Sequence, residues 1–376
     1  MKTRRRVLMA LDWYDEAIHT GIAEFARQES WILNAHMSRT RQFPRGWAGD
    51  GVIALIDYPA AARHIRSLHI PVVDMGGHFT EFTQVLSDNP RIGSMAAEYF
   101  LEKRHRNFFF LHVQSSRLER EISTGFQTAL KAAGYSCQMH YWKQTREQHV
   151  IDYQQVQKWA VAVLQEAAKP AAVMCQNDDT AVIILNACVD AGIRVPEEVA
   201  ILGAGNHKLF CEFQSKTLSS IDPDLRRLGY EAAKELSRMM SGGSPRRSAL
   251  RVPPKREIIT RESTDFLAVS NPHVLLVLRY LWDHFREPLS VEQLSRLVPI
   301  SRSAIYALFT KEVGLPMAKE LMRVRLEEVK RLLRTTQQPI GKVARSCGFT
   351  SMITFSRAFT QRTRMTARAY RLKMRR

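Results

Sequence analysis

Two short stretches of the 376-residue chain set arginines, hydroxyls and apolar side chains at helical spacing just behind a serine. They are Arg302, Ser303 and Tyr306 after Ser301, and Met352, Ile353, Ser356 and Arg357 after Ser351. Ile305, Leu308 and Phe309 take the inward positions in the first, Phe355 and Phe359 in the second, which leaves the seven named residues outside. Apolar groups on an outer face are costly in water. In the major groove of a duplex, Met352 and Ile353 can pack on thymine methyls, and Arg357 and Arg302 can reach guanine edges or phosphates. These seven are the DNA-binding candidates.

Catalytic chemistry finds little footing. Asn177-Asp178-Asp179 holds two carboxylates, but adjacent residues at a helix start point in different directions, and helix capping or one polar ligand contact accounts for them. Gly203-Ala204-Gly205 lacks the third glycine of a dinucleotide loop, with Lys208 in its place, and neither a P-loop nor His-Glu-x-x-His occurs. The 12 histidines form no metal-spaced cluster, and the 5 cysteines (137, 175, 188, 211, 347) are widely separated. No catalytic residue, metal or cofactor is expected.

The elements that must hold the outer residues repeat one theme. Residues 290–298 read as a helix of about three turns with Leu294 and Leu297 inward, followed by a turn at Pro299-Ile300 and a helix opening at Ser301. Residues 340–347 repeat it with Val343 and Ala344 inward, a turn at Gly348 and a helix from near Ser351. Between them 317–335 form a long helix with Leu321, Val324, Leu326, Val329 and Leu333 inward and Arg323, Arg325, Lys330 and Arg331 outward. An all-α domain with two helix-turn-helix motifs is expected over 273–376.

Charge singles out the same region. The net charge is +18, of which residues 272–376 carry +14, and after Glu328 there are 13 basic residues and no acidic one. A solvated surface mixes signs, whereas a field of one sign suits a polyanion.

Residues 1–263 alternate strand and helix. Strand candidates at 7–11, 52–56, 72–74, 107–113, 172–175 and 199–202 are separated mostly by helical stretches at 17–27, 59–68, 91–103, 119–133, 151–168 and 178–191. Parallel sheets result, and the length favours two α/β lobes with a cleft between them. Turn-rich segments follow, with one strand-like stretch at 256–260, and the linker is placed at 264–272. Apolar runs such as 108–111 are far too short to span a bilayer, and the run at 7–11 behind Lys2 and Arg4–Arg6 is too short for a signal peptide, so a cytoplasmic protein is expected.

Segment 275–372 resembles the DNA-binding domain of the AraC family of bacterial transcription activators. The matching residues are Leu294, Ser301, Phe309, Arg325, Leu326, Ile340, Ala344, Gly348, Phe349, Phe355, Ser356, Arg357, Phe359, Tyr370 and Arg371. Pro299 departs from the glycine of the first turn, and Arg364 and Ala367 from a glycine and a proline before the last helix.

Residues 5–264 resemble the sugar-sensing core of LacI-type repressors, through stretches such as 49–53, Pro71-Val72-Val73-Asp74, Asp88-Asn89, Gly125-Phe126, Asn177-Asp178, Arg194-Val195-Pro196 and 218–221. This resemblance implies the two-lobed fold of periplasmic binding proteins. It also implies an effector between the lobes, touched at strand ends by Trp13, Tyr14, Asp88, Asn177, Asp178 and Asn206. Ile122 stands where an arginine is usual and Gly205 where an aspartate is usual. Unless Arg117 or Arg120 compensates, a pentose such as xylose is expected to bind poorly.

Together these features imply a transcription regulator, of the activating kind. Its expected partners are operator DNA, a small polar effector of the sugar class, a second copy of the chain and RNA polymerase, with no membrane. The competing class is a binding protein whose basic tail docks on RNA or an anionic membrane without sequence preference.

Overall fold

The computed structural model describes residues 4–40, 42–44, 46–113, 116–142, 152–266, 268–269 and 271–373. Contacts divide the chain into two compact units, Met1–Phe266 and Leu267–Arg376.

The first unit begins with β1 Arg6–Leu11, α1 Glu16–Gln28, β2 Ile32–Asn34, α2 Met37–Thr40, β3 Gly51–Leu55, α3 Pro59–Ser67, β4 Val72–Asp74, β5 Thr83–Ser87 and α4 Asn89–Glu102. It continues through β6 Asn107–His112, α5 Arg117–Ala132, β7 Cys137–Tyr141, α6 Tyr153–Glu166, β8 Ala171–Met174, α7 Asp178–Asp190, β9 Val199–Ala204, α8 Lys208–Glu212, β10 Ser219–Ile221, α9 Leu225–Met240 and β11 Leu250–Val252. The strands form two parallel sheets, ordered β11-β5-β4-β3-β1-β2 and β10-β9-β8-β6-β7.

Each sheet is covered on both faces, so its central strands are continuous apolar runs with no alternation: residues 7–11 are all buried, as are all of β8 and β9. The chain crosses between the lobes. After β5 it enters the second lobe through α4, whose Ile92, Ala96 and Phe100 pack with Phe108 and Phe110. It returns through α9, whose Leu228, Ala232 and Leu236 pack with Val7 and Met9, and leaves again after β11, where Ile259 bridges Ser220. Helices α4 and α5 meet at glycines. A Cβ on Gly93 would lie 2.0 Å from the Ile122 carbonyl oxygen, and one on Gly125 would lie 2.1 Å from that of Pro90.

The expected strand at 256–260 is only that single bridge, and the strand that completes the first sheet is β11, paired Leu250 to Val85. Strands β2, β5, β7, β10 and β11 and helices α2, α8 and α9 lie outside the sequence expectation.

The second unit is helical: α10 Pro272–His284, α11 Val291–Ser295, α12 Arg302–Val313, α13 Met317–Thr335, α14 Ile340–Ser346, α15 Met352–Thr363 and α16 Ala367–Lys373. Helix α11 is shorter than the expected three turns. It opens with a reciprocal cap between Ser290 and Gln293 and ends before Pro299, whose ring cannot continue a helix. Ser301 and Ser351 cap α12 and α15 by accepting from the Ala304 and Thr354 amides at 3.2 and 3.3 Å. The inward set of α13 is as expected, with Leu321, Val324, Leu326, Val329 and Leu333 buried.

Arg325 does not face outward. It is half-buried and donates to the carbonyls of Phe285 and Glu287 at 2.7 and 2.6 Å, closing the loop behind α10. Arg323, Lys330 and Arg331 pair with Glu320, Glu327 and Glu328 one turn back on the same helix.

Candidate functional site

Helices α12 and α15 are copies fifty residues apart. In both, the first inward residue is the fourth of the helix (Ile305, Phe355) and the next aromatic core residue is the eighth (Phe309, Phe359), all buried. With those positions committed to the core, the outer face follows. Arg302, Ser303 and Tyr306 are exposed on α12, and Met352, Ile353, Ser356 and Arg357 on α15. Ile353 is 75% exposed and Met352 41%, a large apolar surface in a helix whose neighbours are basic. Arg302 and Arg357 make no ion pair or hydrogen bond to another described residue, so both guanidinium groups remain available.

Around α15 the exposed side chains of Lys342, Arg345, Arg362, Arg364 and Arg368 add only positive charge, because every acidic residue of this unit precedes α14. This face can accept a phosphate backbone and place polar and apolar tips on base edges.

In the first unit the strand ends bring the expected effector residues into two groups. Trp13 and Tyr14 follow β1 and are exposed, and Asp88 follows β5, where it caps α4 by accepting from the Arg91 amide at 3.3 Å. In the other lobe Asn177 caps α7 through the Thr180 amide at 2.9 Å. Asp178 is 1% exposed and accepts from Ser220 Oγ at 2.6 Å, the His207 amide at 2.9 Å and Cys211 Sγ at 3.4 Å; burial pushes its carboxyl up. Asn206, at φ 52°, donates to Asp222 at 3.3 Å and accepts from Arg261 at 3.0 Å. The polar atoms of Asp178 and Asn206 are thus engaged within their own lobe.

The two groups meet at His207, a residue the sequence reading did not select. Its ring stands edge-on to Trp13 at 6.3 Å, and its Nε2 lies 3.7 Å from Asp15, the cap of α1. Its position directly after Asn206, at a strand end, is the signal that marks it.

Ile122 is buried in the second lobe among Phe108, Phe110 and Phe126. Gly205 sits at φ 136°, and a Cβ there would lie 2.9 Å from the Asp178 carboxylate, so the Asp178 side chain fills the space that a larger residue needs. Arg117 pairs with Glu121 at 3.0 Å, and Glu121 also receives Arg251 at 3.2 Å. Arg117 lies against Gly77 of the first lobe.

Residues 6–98 match the XylR N-terminal domain, residues 97–264 a periplasmic binding protein-like domain and residues 294–373 a helix-turn-helix domain. The chain is a DNA-binding transcription regulator, not an enzyme, in which a periplasmic-binding-protein-like α/β part precedes an AraC-type helix-turn-helix domain. Over nearly its whole length it resembles the xylose operon regulatory protein. It is 27% identical to that of Escherichia coli K12 over 371 residues, covering 95% of this chain and 94% of the relative. The Haemophilus influenzae protein of the same name is 25% identical over 332 residues, covering 86% and 85%. The solved structure of the xylose-binding transcription activator xylR superposes with a TM-score of 0.71 at 25% identity, covering 99% of both chains.

Proposed function

We propose that the protein activates transcription in response to a sugar bound between the lobes of its first unit. The observation that carries the reading is the pair of matched helices α12 and α15, each leaving its reading face exposed in a unit of net charge +14. The sensor spans 1–263, a linker 264–272 and the DNA-binding domain 273–376.

In the cleft, Trp13 or Tyr14 stacks on the apolar face of the sugar, and Asp88 accepts its hydroxyl hydrogen bonds. Asn177, Asp178 and Asn206 shape the opposite wall. On DNA, Arg302, Ser303 and Tyr306 enter one major groove and Met352, Ile353, Ser356 and Arg357 the next. The regulator acts as a cytoplasmic homodimer that doubles its DNA contact and engages RNA polymerase.

The relatives are named for xylose. Here Ile122 supplies no guanidinium and Gly205 no carboxylate, so xylose binds weakly and another sugar or a larger polar metabolite is the effector. Calorimetry of the full chain against a sugar panel tests this, because micromolar xylose binding would refute the changed effector. Sedimentation of the full chain tests the dimer: a monomer at tens of micromolar contradicts it.

A further inference from the structure

A second polar cluster lies at the C-terminal edge of the second sheet and belongs to none of the roles above. The register pairs Phe110 with Met174, so the next residues on the same face, His112 and Gln176, lie side by side, and His112 pairs with Tyr141 on the other flank. Helix α5 starts above this edge. Its cap Ser116 accepts from the Glu119 amide at 3.0 Å, which points the Glu119 carboxylate at His112, with Oε1 3.4 Å from Nδ1.

His112, Glu119 and Gln176 are all more than nine-tenths buried, with Glu119 at 1% exposure. Yet among the described residues His112 Nε2, Glu119 Oε1 and Gln176 Oε1 make no hydrogen bond, and the His112 Nδ1 contact to Glu119 is an ion pair only when the ring is protonated. Buried polar atoms are normally paired, and a carboxylate oxygen is costly to leave without a donor. No lysine or arginine among the described residues pairs with Glu119. Ile122, one turn further along α5, is apolar and offers no donor. On the outer side the Tyr141 ring stacks on His112 at 4.3 Å and is itself 62% exposed, so an aromatic face marks the approach from solvent.

We propose that this cluster is a subsite for an ammonium group, carried by an amino-bearing polar metabolite of the amino-sugar kind. The inference rests on the sugar-sensor reading and narrows its ligand class. The Glu119 carboxylate provides the counter-charge and Gln176 Oε1 a second acceptor. A neutral hydroxyl can use the acceptors but leaves the carboxylate uncompensated.

Calorimetry of the full chain near neutral pH with two matched pairs, glucosamine against glucose and galactosamine against galactose, tests the proposal. The amine of at least one pair binds about tenfold or more tighter than its neutral partner, and the ratio falls toward one in Glu119→Gln and shrinks in Gln176→Leu. If Glu119→Gln does not fold, the same ratio followed in the unmodified protein as rising pH deprotonates the amine replaces it, and the preference disappears with the charge. Equal affinities within both pairs, with the neutral sugars still bound, overturn the ammonium subsite and leave the sugar cleft standing. A preference that survives Glu119→Gln or amine deprotonation also overturns it. If none of the four sugars, nor any other of the wider panel, binds, the cleft reading falls and takes this proposal with it.

Discussion

Asp178 and Ser220 are joined by a 2.6 Å hydrogen bond that ties the first turn of α7 to β10, in a place no solvent reaches. The same carboxylate also holds the His207 amide, so it fixes the strand end on which His207 faces Trp13. Asp178→Ala leaves the His207 amide without an acceptor and the Ser220 hydroxyl with only the Ile221 carbonyl at 3.5 Å, and should cost the sensor about 2–4 kcal/mol. Urea unfolding reads this directly. A change under about 0.5 kcal/mol would show that the carboxylate carries no structural role.

Asp74 closes β4 without exposure, and burial pushes its carboxyl from 3.8 up to about 6 although the Gly76 and Gly77 amides donate to it at 3.0 and 2.7 Å. A raised pKa means that the folded chain holds a proton the unfolded chain has released. Its contribution is full below 3.8 and is lost as pH rises through about 6, a fall of about 3 kcal/mol. Asp74→Asn does not titrate, so its stability should lack this part of the slope. Identical pH profiles for the two proteins would remove Asp74 from the account.

Arg325 separates a packing role from a DNA contact. If its hydrogen bonds to the Phe285 and Glu287 carbonyls are what matters, Arg325→Met lowers the stability of the helical unit by about 2 kcal/mol. The salt dependence of DNA binding then stays unchanged under conditions where the variant is folded. A shallower salt slope with unchanged stability would mean a phosphate contact instead.

Arg364 ends α15 at φ 57°, the position that Gly314 takes at φ 76° after α12. A left-handed backbone strains any side-chain-bearing residue, so Arg364→Gly should stabilise the unit by roughly 0.5–1 kcal/mol, and Gly314→Ala should destabilise it by a similar amount. Thermal unfolding of the two variants checks both signs.

What the sequence disclosed followed the strength of its periodicity. Helix α13 has its expected bounds, 317–335, because five apolar residues recur at helical spacing between turn signals. The outer faces of α12 and α15 were legible because Ile305, Phe309, Phe355 and Phe359 fix which side is inside. Strands β2, β10 and β11 are three residues long and lack the pair of β-branched residues that marks the equally short β4 at Val72-Val73, so only pairing with their neighbours defines them. The inward turn of Arg325 depends on two carbonyls about forty residues away, and the meeting of His207 with Trp13 joins two lobes. The six effector candidates rest on resemblance, since nothing in their local pattern distinguishes a ligand contact from a helix cap.

The most direct measurement is a hydroxyl-radical footprint of the full chain on the DNA upstream of its own and neighbouring genes, taken with Arg302→Ala and Arg357→Ala alongside. Each protomer should protect two segments about 10 base pairs apart. Each substitution should cost roughly 1–3 kcal/mol and relax base preference within one segment only. Diffuse, salt-sensitive protection with no preferred site, weakened equally on all sequences by both substitutions, would contradict the account and point to a non-specific polyanion-binding tail.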